Sequence, residues 1–206
     1  MSVVTTRRRL LIVGGGMENL VRIEHALKFD WAAVDFIALR IPETIRAAAE
    51  GDARFNFEER EATEADIRRA DIVFEDSGDE GSALRVAGWC RANKVPLNAT
   101  DKPELCDLHY LSFFLREPLS ISVGSGGDAP AISAVLRRWL EARVGSGWSS
   151  AARLLAETRA RLPSGQARMD LLKAVARNDT FLRYVENNDE AAMREFIDHE
   201  IQRLRA

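Results

Sequence analysis

The chain has 206 residues, 46% of them hydrophobic and 30% charged, a globular composition that excludes a disordered chain. Twenty-nine Lys and Arg against 32 Asp and Glu leave a formal net charge of −3, so nothing global favours nucleic acid, and an anionic ligand needs a local basic pocket. Such a length holds one domain of about 150 residues with an appendage, or two small domains.

Arg7-Arg8-Arg9 precedes an apolar run of only four residues before glycine. That is too short for a signal-peptide core, and the stretch reads as an exposed basic edge before the first strand. No apolar run approaches the ~18 residues that span a membrane. Cys90 and Cys106 form no Cys-x-x-Cys motif and read as reduced thiols of a cytoplasmic protein. No metal-ligand spacing is evident, so no metal site is expected.

Leu10-Leu-Ile-Val13 runs straight into Gly14-Gly15-Gly16, and Asn19 to Phe29 then reads as a helix. Strand, glycine turn and helix form the opening unit of a dinucleotide-binding fold, in which glycines let backbone N–H groups approach a pyrophosphate. The match to G-x-G-x-x-G is partial, because Asn19 stands at the third glycine position, where a larger side chain is expected to impair helix–strand contact. A plain tight turn is the alternative.

Short strands then alternate with helices, which predicts a doubly wound parallel sheet. The strands are Ala33 to Leu39, Phe55 to Glu59, Ile72 to Phe74 and Val95 to Asn98. The helices are Glu43 to Glu50, Glu64 to Ala70 and Gly81 to Asn93, the last with Leu84, Val86, Ala87 and Cys90 along one face. A ligand site belongs beyond the carboxyl ends of the strands, where the glycine turn, Ala38-Leu39-Arg40, Glu75 to Asp79 and Asn98 to Asp101 gather. The second strand ends without the acid that often binds ribose hydroxyls. Arg40 stands there, either facing a 2′-phosphate or simply solvated. Glu75-Asp-Ser-Gly-Asp79 reads as a solvated acidic loop that would repel a pyrophosphate.

After Asp101 the pattern changes. Leu119 to Val123 is a sixth strand, and Gly124-Ser-Gly-Gly-Asp-Ala-Pro130 leads into a helix from Ala131 to Val144. Asp128 is its expected N-cap, Pro130 suits its first turn, and Ile132, Val135, Leu136, Trp139 and Leu140 form its apolar stripe. The rest reads as three helices, Ser149 to Arg161, Met169 to Arg177 and Asp189 to Leu204. The last buries Met193, Phe196, Ile197, Ile201 and Leu204.

Four pieces in order carry a family resemblance: Leu11-Ile-Val-Gly-Gly-Gly16, Asn98-Ala-Thr-Asp101, Arg116-Glu-Pro-Leu-Ser-Ile-Ser-Val123, and Ser125-Gly-Gly-Asp-Ala-Pro130 with the helix through Arg137-Arg138. The chain resembles the precorrin-2 dehydrogenase/sirohydrochlorin ferrochelatase module of siroheme synthases, clearly from Arg9 to about Val144. The resemblance implies a Rossmann NAD-binding domain over 1–112, a dimerisation segment over 113–146 and a helical domain over 147–206. It implies two chains interlocked as a homodimer with active sites between domains. The chemistry would be hydride transfer from precorrin-2 to NAD, giving sirohydrochlorin, with ferrous iron inserted afterwards by many members.

By the same resemblance Asp101 is the catalytic residue, as proton acceptor or metal guide. Gly14, Gly15, Gly16, Met17, Glu18, Ala38, Leu39 and Ser77 would hold NAD, and Ser125, Gly126 and Gly127 would meet the tetrapyrrole. In some relatives the serine matching Ser125 can be phosphorylated. The tetrapyrrole's eight carboxylates need local cations, for which Arg116, Arg137 and Arg138 are candidates; each could equally be a solvated or interface arginine. His109 could assist metal transfer or be structural. Departures from the family pattern fall at Asn19, at the 75–79 loop and at Cys106-Asp-Leu-His-Tyr110. They support an alternative: a relative that keeps the scaffold to bind a tetrapyrrole or other small ligand, or acts only as a chelatase, without NAD.

Overall fold

The computed structural model describes residues 4–205, with side chains to residue 203. They divide into two compact units at Tyr110 and Leu111. In the first unit, strands β1 (Arg9–Val13), β2 (Ala33–Ala38), β3 (Phe55–Glu59), β4 (Ile72–Glu75) and β5 (Leu97–Ala99) form one sheet in the order β3-β2-β1-β4-β5. All four neighbouring pairs are parallel. Helices α1 (Glu18–Ala26), α2 (Glu43–Ala48), α3 (Glu64–Arg69) and α4 (Glu80–Asn93) make the crossovers. The chain runs outward from β1 to β3, then returns to the other side of β1 for β4. That reversal opens a crevice at the strands' carboxyl ends. The Rossmann-like doubly wound sheet is therefore the observed architecture.

The apolar run of β1 explains why the sheet has a core on each face. Successive side chains of a strand point to opposite faces. Leu10 and Ile12 join Val34, Phe36, Ile23 and Ile45 on one side. Leu11 and Val13 join Ile37, Val73, Ile67, Val86 and Cys90 on the other. Burial pushes the Cys90 thiol up to about 12, so it stays protonated as an apolar core group. On α4 the buried face is Ala83, Val86, Ala87 and Cys90. Leu84, expected on that face, is 53% exposed, because it lies one residue out of the i, i+3, i+4, i+7 phase.

Arg8 and Arg9 are not a free basic edge: they pair with Asp71 and Asp35, each at 2.6 Å. The α3 start is a capping box, in which Asp66 Oδ2 accepts from the Thr63 backbone N–H at 2.8 Å. Asp66 is buried, and Arg60 and Arg69 also donate to it. Burial alone would raise its pKa, but the hydrogen bonds from Arg60 and Thr63 outweigh it and hold the carboxyl at about 2. On α1, Asn19 is wholly buried, and its Nδ2 donates to the Gly14 carbonyl at 2.7 Å. The side chain expected to hold the helix off the strand instead ties the helix to the turn.

The second unit opens with an antiparallel hairpin, β6 (Ser112–Arg116) and β7 (Leu119–Val123). The sequence reading found only β7, because Phe113-Phe-Leu115 does not alternate polar and apolar. Helices α5 (Pro130–Glu141), α6 (Gly147–Arg161), α7 (Gln166–Ala176), α8 (Asp179–Glu186) and α9 (Glu190–Arg205) follow. The α5 N-cap position is Ala129, not Asp128; its amide donates to Ser125 Oγ at 2.9 Å. Helix α8 lies in the stretch expected to be helical to the end, though apolar spacing singled out only the helices on either side of it. It begins at Asn178, whose Oδ1 accepts from Thr180 and Phe181 N–H groups. Leu154, Leu171, Val175, Phe181, Val185, Met193, Ile197 and Ile201 form this unit's core. The side chain of Leu204 lies outside the described residues.

Two variants test these ties. Because the Asp66 pKa is lowered from 3.8 to about 2, its contribution is complete above pH 3.8 and is lost as pH falls through 2. Asp66→Asn should cost about 2 kcal/mol at pH 7 in urea unfolding and flatten the loss of stability between pH 4 and 2. Asn19→Gly, which restores the fingerprint glycine, should lower stability by about 1–2 kcal/mol. An unchanged urea midpoint would refute the Asn19 tie.

Candidate dinucleotide-binding site

Each glycine of the first turn meets protein backbone or a carboxylate at close range. Gly14 adopts φ +96°, and a Cβ there would lie 2.4 Å from the Ser77 backbone. At Gly16 a Cβ would lie 2.1 Å from Asp76 Oδ2. The Gly16 amide donates to the Asp76 carbonyl at 2.9 Å, and the Asp76 amide to the Val13 carbonyl at 2.8 Å. The turn is thus clasped by the loop after β4. Clasping leaves the amides of Gly15, Met17 and Glu18 without an acceptor among the described residues, at the positive end of α1.

The 75–79 loop is not the solvated acidic loop expected from sequence. Glu75 is wholly buried and Asp76 is 9% exposed. Glu75 Oε1 accepts from the Ser77 amide at 2.9 Å and from the Ser77 hydroxyl, while Asp79 Oδ1 caps α4 through Ser82 N–H at 2.6 Å. Glu75 Oε2 and Asp76 Oδ2 are buried without a partner. A buried cation, Arg22, offsets these charges. It donates to Asn98 Oδ1 at 3.2 Å, Thr100 Oγ1 at 2.7 Å and Asn19 Oδ1 at 3.3 Å, with its guanidinium 5.3 Å from the centre of the Phe74 ring. Burial pulls the Arg22 pKa down, and Asp76, Glu18 and Glu75 oppose the fall. The sequence shows three carboxylates within five residues; the arginine whose charge offsets them sits 53 residues before Glu75, on α1, and only the fold brings it there.

Around the turn is a cleft of about 660 Å³. Gly14, Gly15, Gly16, Ala38, Leu39 and Ser77 line it, all selected from sequence, whereas Met17 and Glu18 lie at the head of α1 outside the wall. The wall also includes Arg40, Asp76, Arg60 and Glu61, and Arg85 and Trp89 from α4. Arg85 and Trp89 were missed. Their signal was helical spacing, since Ser82, Arg85, Val86 and Trp89 share one side of α4. The wall fits a dinucleotide on its own donor set. Uncommitted amides suit a pyrophosphate, and Ala38, Leu39 and Trp89 offer apolar surface.

Asp101 follows β5 in the left-handed region, φ +57°, exposed and, among the described residues, without a hydrogen bond or ion pair. The Cys106–Tyr110 passage anchors the preceding strand. The Cys106 thiol donates to the Ala99 carbonyl, Asp107 Oδ2 accepts from Leu97 N–H, and the Leu108 carbonyl accepts from Asn98 Nδ2. His109 is exposed, while Tyr110 stacks on His25 with its hydroxyl 2.6 Å from Nδ1.

In the second unit, Arg116 closes the C-terminal end of α5. It donates to the carbonyls of Val144 and Glu141 at 3.1 and 3.2 Å. Arg137 pairs with Glu141, one turn along the same helix. Arg138 is exposed and carries no ion pair among the described residues. Gly126 and Gly127 have positive φ, +69° and +99°, so the Ser125–Asp128 turn needs them. The apolar stripe of α5 is open: Ile132, Val135, Leu136 and Trp139 are 44–64% exposed.

Residues 2–112 match the family model described as "Putative NAD(P)-binding". The siroheme synthase of Pseudomonas fluorescens (strain SBW25) is 31% identical over 154 residues, 75% of this chain and 33% of the relative. That of Methylococcus capsulatus (strain Bath) is 34% identical over 153 residues, 74% of this chain and 32% of the relative. The chain thus spans about a third of the length of the siroheme synthases it matches. Among solved structures, "SirC, precorrin-2 dehydrogenase" superposes with a TM-score of 0.73 over 98% of both chains at 17% identity, a likeness of fold. With the model covering more than half of its residues, including the whole parallel sheet, the chain belongs to this NAD(P)-binding family.

Proposed function

We propose that the chain is an NAD-dependent precorrin-2 dehydrogenase of siroheme biosynthesis, forming sirohydrochlorin. One observation carries the reading: a carboxylate, Asp101, lies two residues past β5, beyond the carboxyl ends of the strands, where the glycine-turn cleft also opens. The matched portions of siroheme synthases and the shared fold with a precorrin-2 dehydrogenase support it.

In this reading the Gly15 amide on the cleft wall and the Met17 and Glu18 amides beside it at the head of α1 hold the cofactor pyrophosphate. NAD supplies the hydride acceptor. Dehydrogenation also releases a proton, and Asp101 takes it, its carboxylate free of any competing hydrogen bond. Arg22 fixes Asn98 and Thr100, and through them the backbone that presents Asp101. Within the second unit, Arg138 and the Ser125–Gly127 turn are the groups that suit a carboxylate ligand, since Arg116 and Arg137 are already committed there. Ferrous iron, as a second substrate, would enter sirohydrochlorin with Asp101 accepting pyrrole protons.

A second copy of the chain is the proposed occupant of the open α5 face. Four large apolar residues at i, i+3, i+4 and i+7 spacing form a continuous exposed stripe. Trp139→Glu should turn a dimer into a monomer in sedimentation; a wild-type monomer, or a variant that stays dimeric, would count against this interface. Asp101→Ala should lower turnover of precorrin-2 at least 100-fold while the NAD Kd changes less than threefold, as removal of a general base does. Full activity of that variant would remove Asp101 from the mechanism.

A further inference from the structure

Acidic residues stand where a pyrophosphate would be repelled, and the fold carries two of them inside without removing the conflict. Asp76 lies against the glycine turn itself. A Cβ on Gly16 would fall 2.1 Å from Asp76 Oδ2, 2.2 Å from its Cγ and 2.5 Å from Oδ1. The amides without an acceptor, those of Gly15, Met17 and Glu18, flank that same glycine. An anion held by them therefore sits beside a buried carboxyl group.

The buried charges at the turn do not cancel. Among the described residues, four charged side chains of the first unit are buried: Arg22, Asp66, Glu75 and Asp76. Arg60 and Arg69 answer Asp66. That leaves Glu75 and Asp76 with Arg22, two carboxylates against one guanidinium. The other charges nearby are exposed and screened by solvent. They are Glu18 at the head of α1, Asp79 at the α4 cap, Arg85 on the cleft wall, and Arg40, which also interacts with Glu59. Beyond β5, Tyr110 faces Arg22, and burial raises its pKa and keeps its hydroxyl protonated. That hydroxyl meets His25 of α1, and histidine ordinarily titrates near neutrality, so His25 is the rival site for a proton. Within the carboxylate pair, Glu75 Oε1 already accepts from the Ser77 amide and hydroxyl. Asp76 Oδ2 has no donor to lose.

We infer that Asp76 sets the affinity of the cleft for its dinucleotide, and that binding is accompanied by uptake of a proton from solvent onto Asp76. This rests on the dinucleotide reading of the cleft and states how that site is regulated. A pyrophosphate adds two negative charges to the one already in excess at the turn. A carboxyl group buried next to like charge is favoured in its neutral form. NAD binding therefore tightens as pH falls.

The test is calorimetric titration of the full chain with NAD, without substrate, from about pH 6 to about pH 8, in buffers of contrasting ionisation enthalpy. NAD has no group that titrates in that interval, so any proton taken up belongs to the protein. The Kd is expected to weaken about tenfold across the interval, with roughly half a proton or more taken up per NAD bound. Asp76→Asn keeps the shape of the side chain and removes its charge. It should bind NAD about tenfold tighter than the wild type at the alkaline end, with a Kd that no longer follows pH. His25→Gln should leave the uptake and the pH profile unchanged.

A wild-type Kd independent of pH, without proton uptake, overturns the inference and leaves the dinucleotide reading standing. An Asp76→Asn variant that keeps the pH dependence or binds NAD more weakly overturns it too. So does loss of the uptake in His25→Gln, which decides the matter even if Asp76→Asn does not fold. Failure of the wild type to bind NAD anywhere in the interval overturns the inference and the cofactor reading together.

Discussion

The close approach of Gly14-Gly15-Gly16 to the loop after β4 is the constraint on which the cleft depends. A side chain at Gly14 or Gly16 would push Ser77 or Asp76 away, and the Gly16–Asp76 and Asp76–Val13 backbone bonds would be lost together. Those bonds close the floor between β1 and β4. They also leave the next amides at the head of α1 without an acceptor among the described residues, so one local geometry both seals the sheet and leaves donors that suit an anion.

Bringing this loop inside places Glu75 and Asp76 in a low-dielectric environment, where unpaired carboxylates are costly. Arg22 answers them. It reaches from α1 to Asn98 and Thr100, and Asn19 joins it to the Gly14 carbonyl. The network spans the glycine turn, α1 and the end of β5 in one chain of hydrogen bonds. Breaking it at Arg22 would leave buried carboxylates without a counter-ion, a larger effect than loss of a surface pair.

The sheet was legible because its strands are short apolar runs separated by helical spacing, and β1, β3 and the glycine turn lie where pattern places them. The hairpin partner β6 was not, since Phe113-Phe-Leu115 carries no alternation and its pairing depends on β7. Six of the cofactor-side residues could be chosen from the turn and strand ends, which are local features. Asn19 and the acidic loop were misjudged for a common reason. Their meaning depends on Arg22, which is distant in sequence and adjacent only in the fold. The α5 stripe was legible as an apolar face but its exposure was not, because helical periodicity marks such a face without saying what covers it.

The central claim is that the glycine-turn cleft and Asp101 belong to one dehydrogenase. Anaerobic incubation of the pure chain with precorrin-2, with and without NAD, and with sirohydrochlorin followed by its absorption, tests it most directly. The account predicts product that accumulates with NAD and not without it. Folded protein that saturably binds the tetrapyrrole yet forms no sirohydrochlorin with NAD would contradict it and identify the chain as a binding relative on the same scaffold.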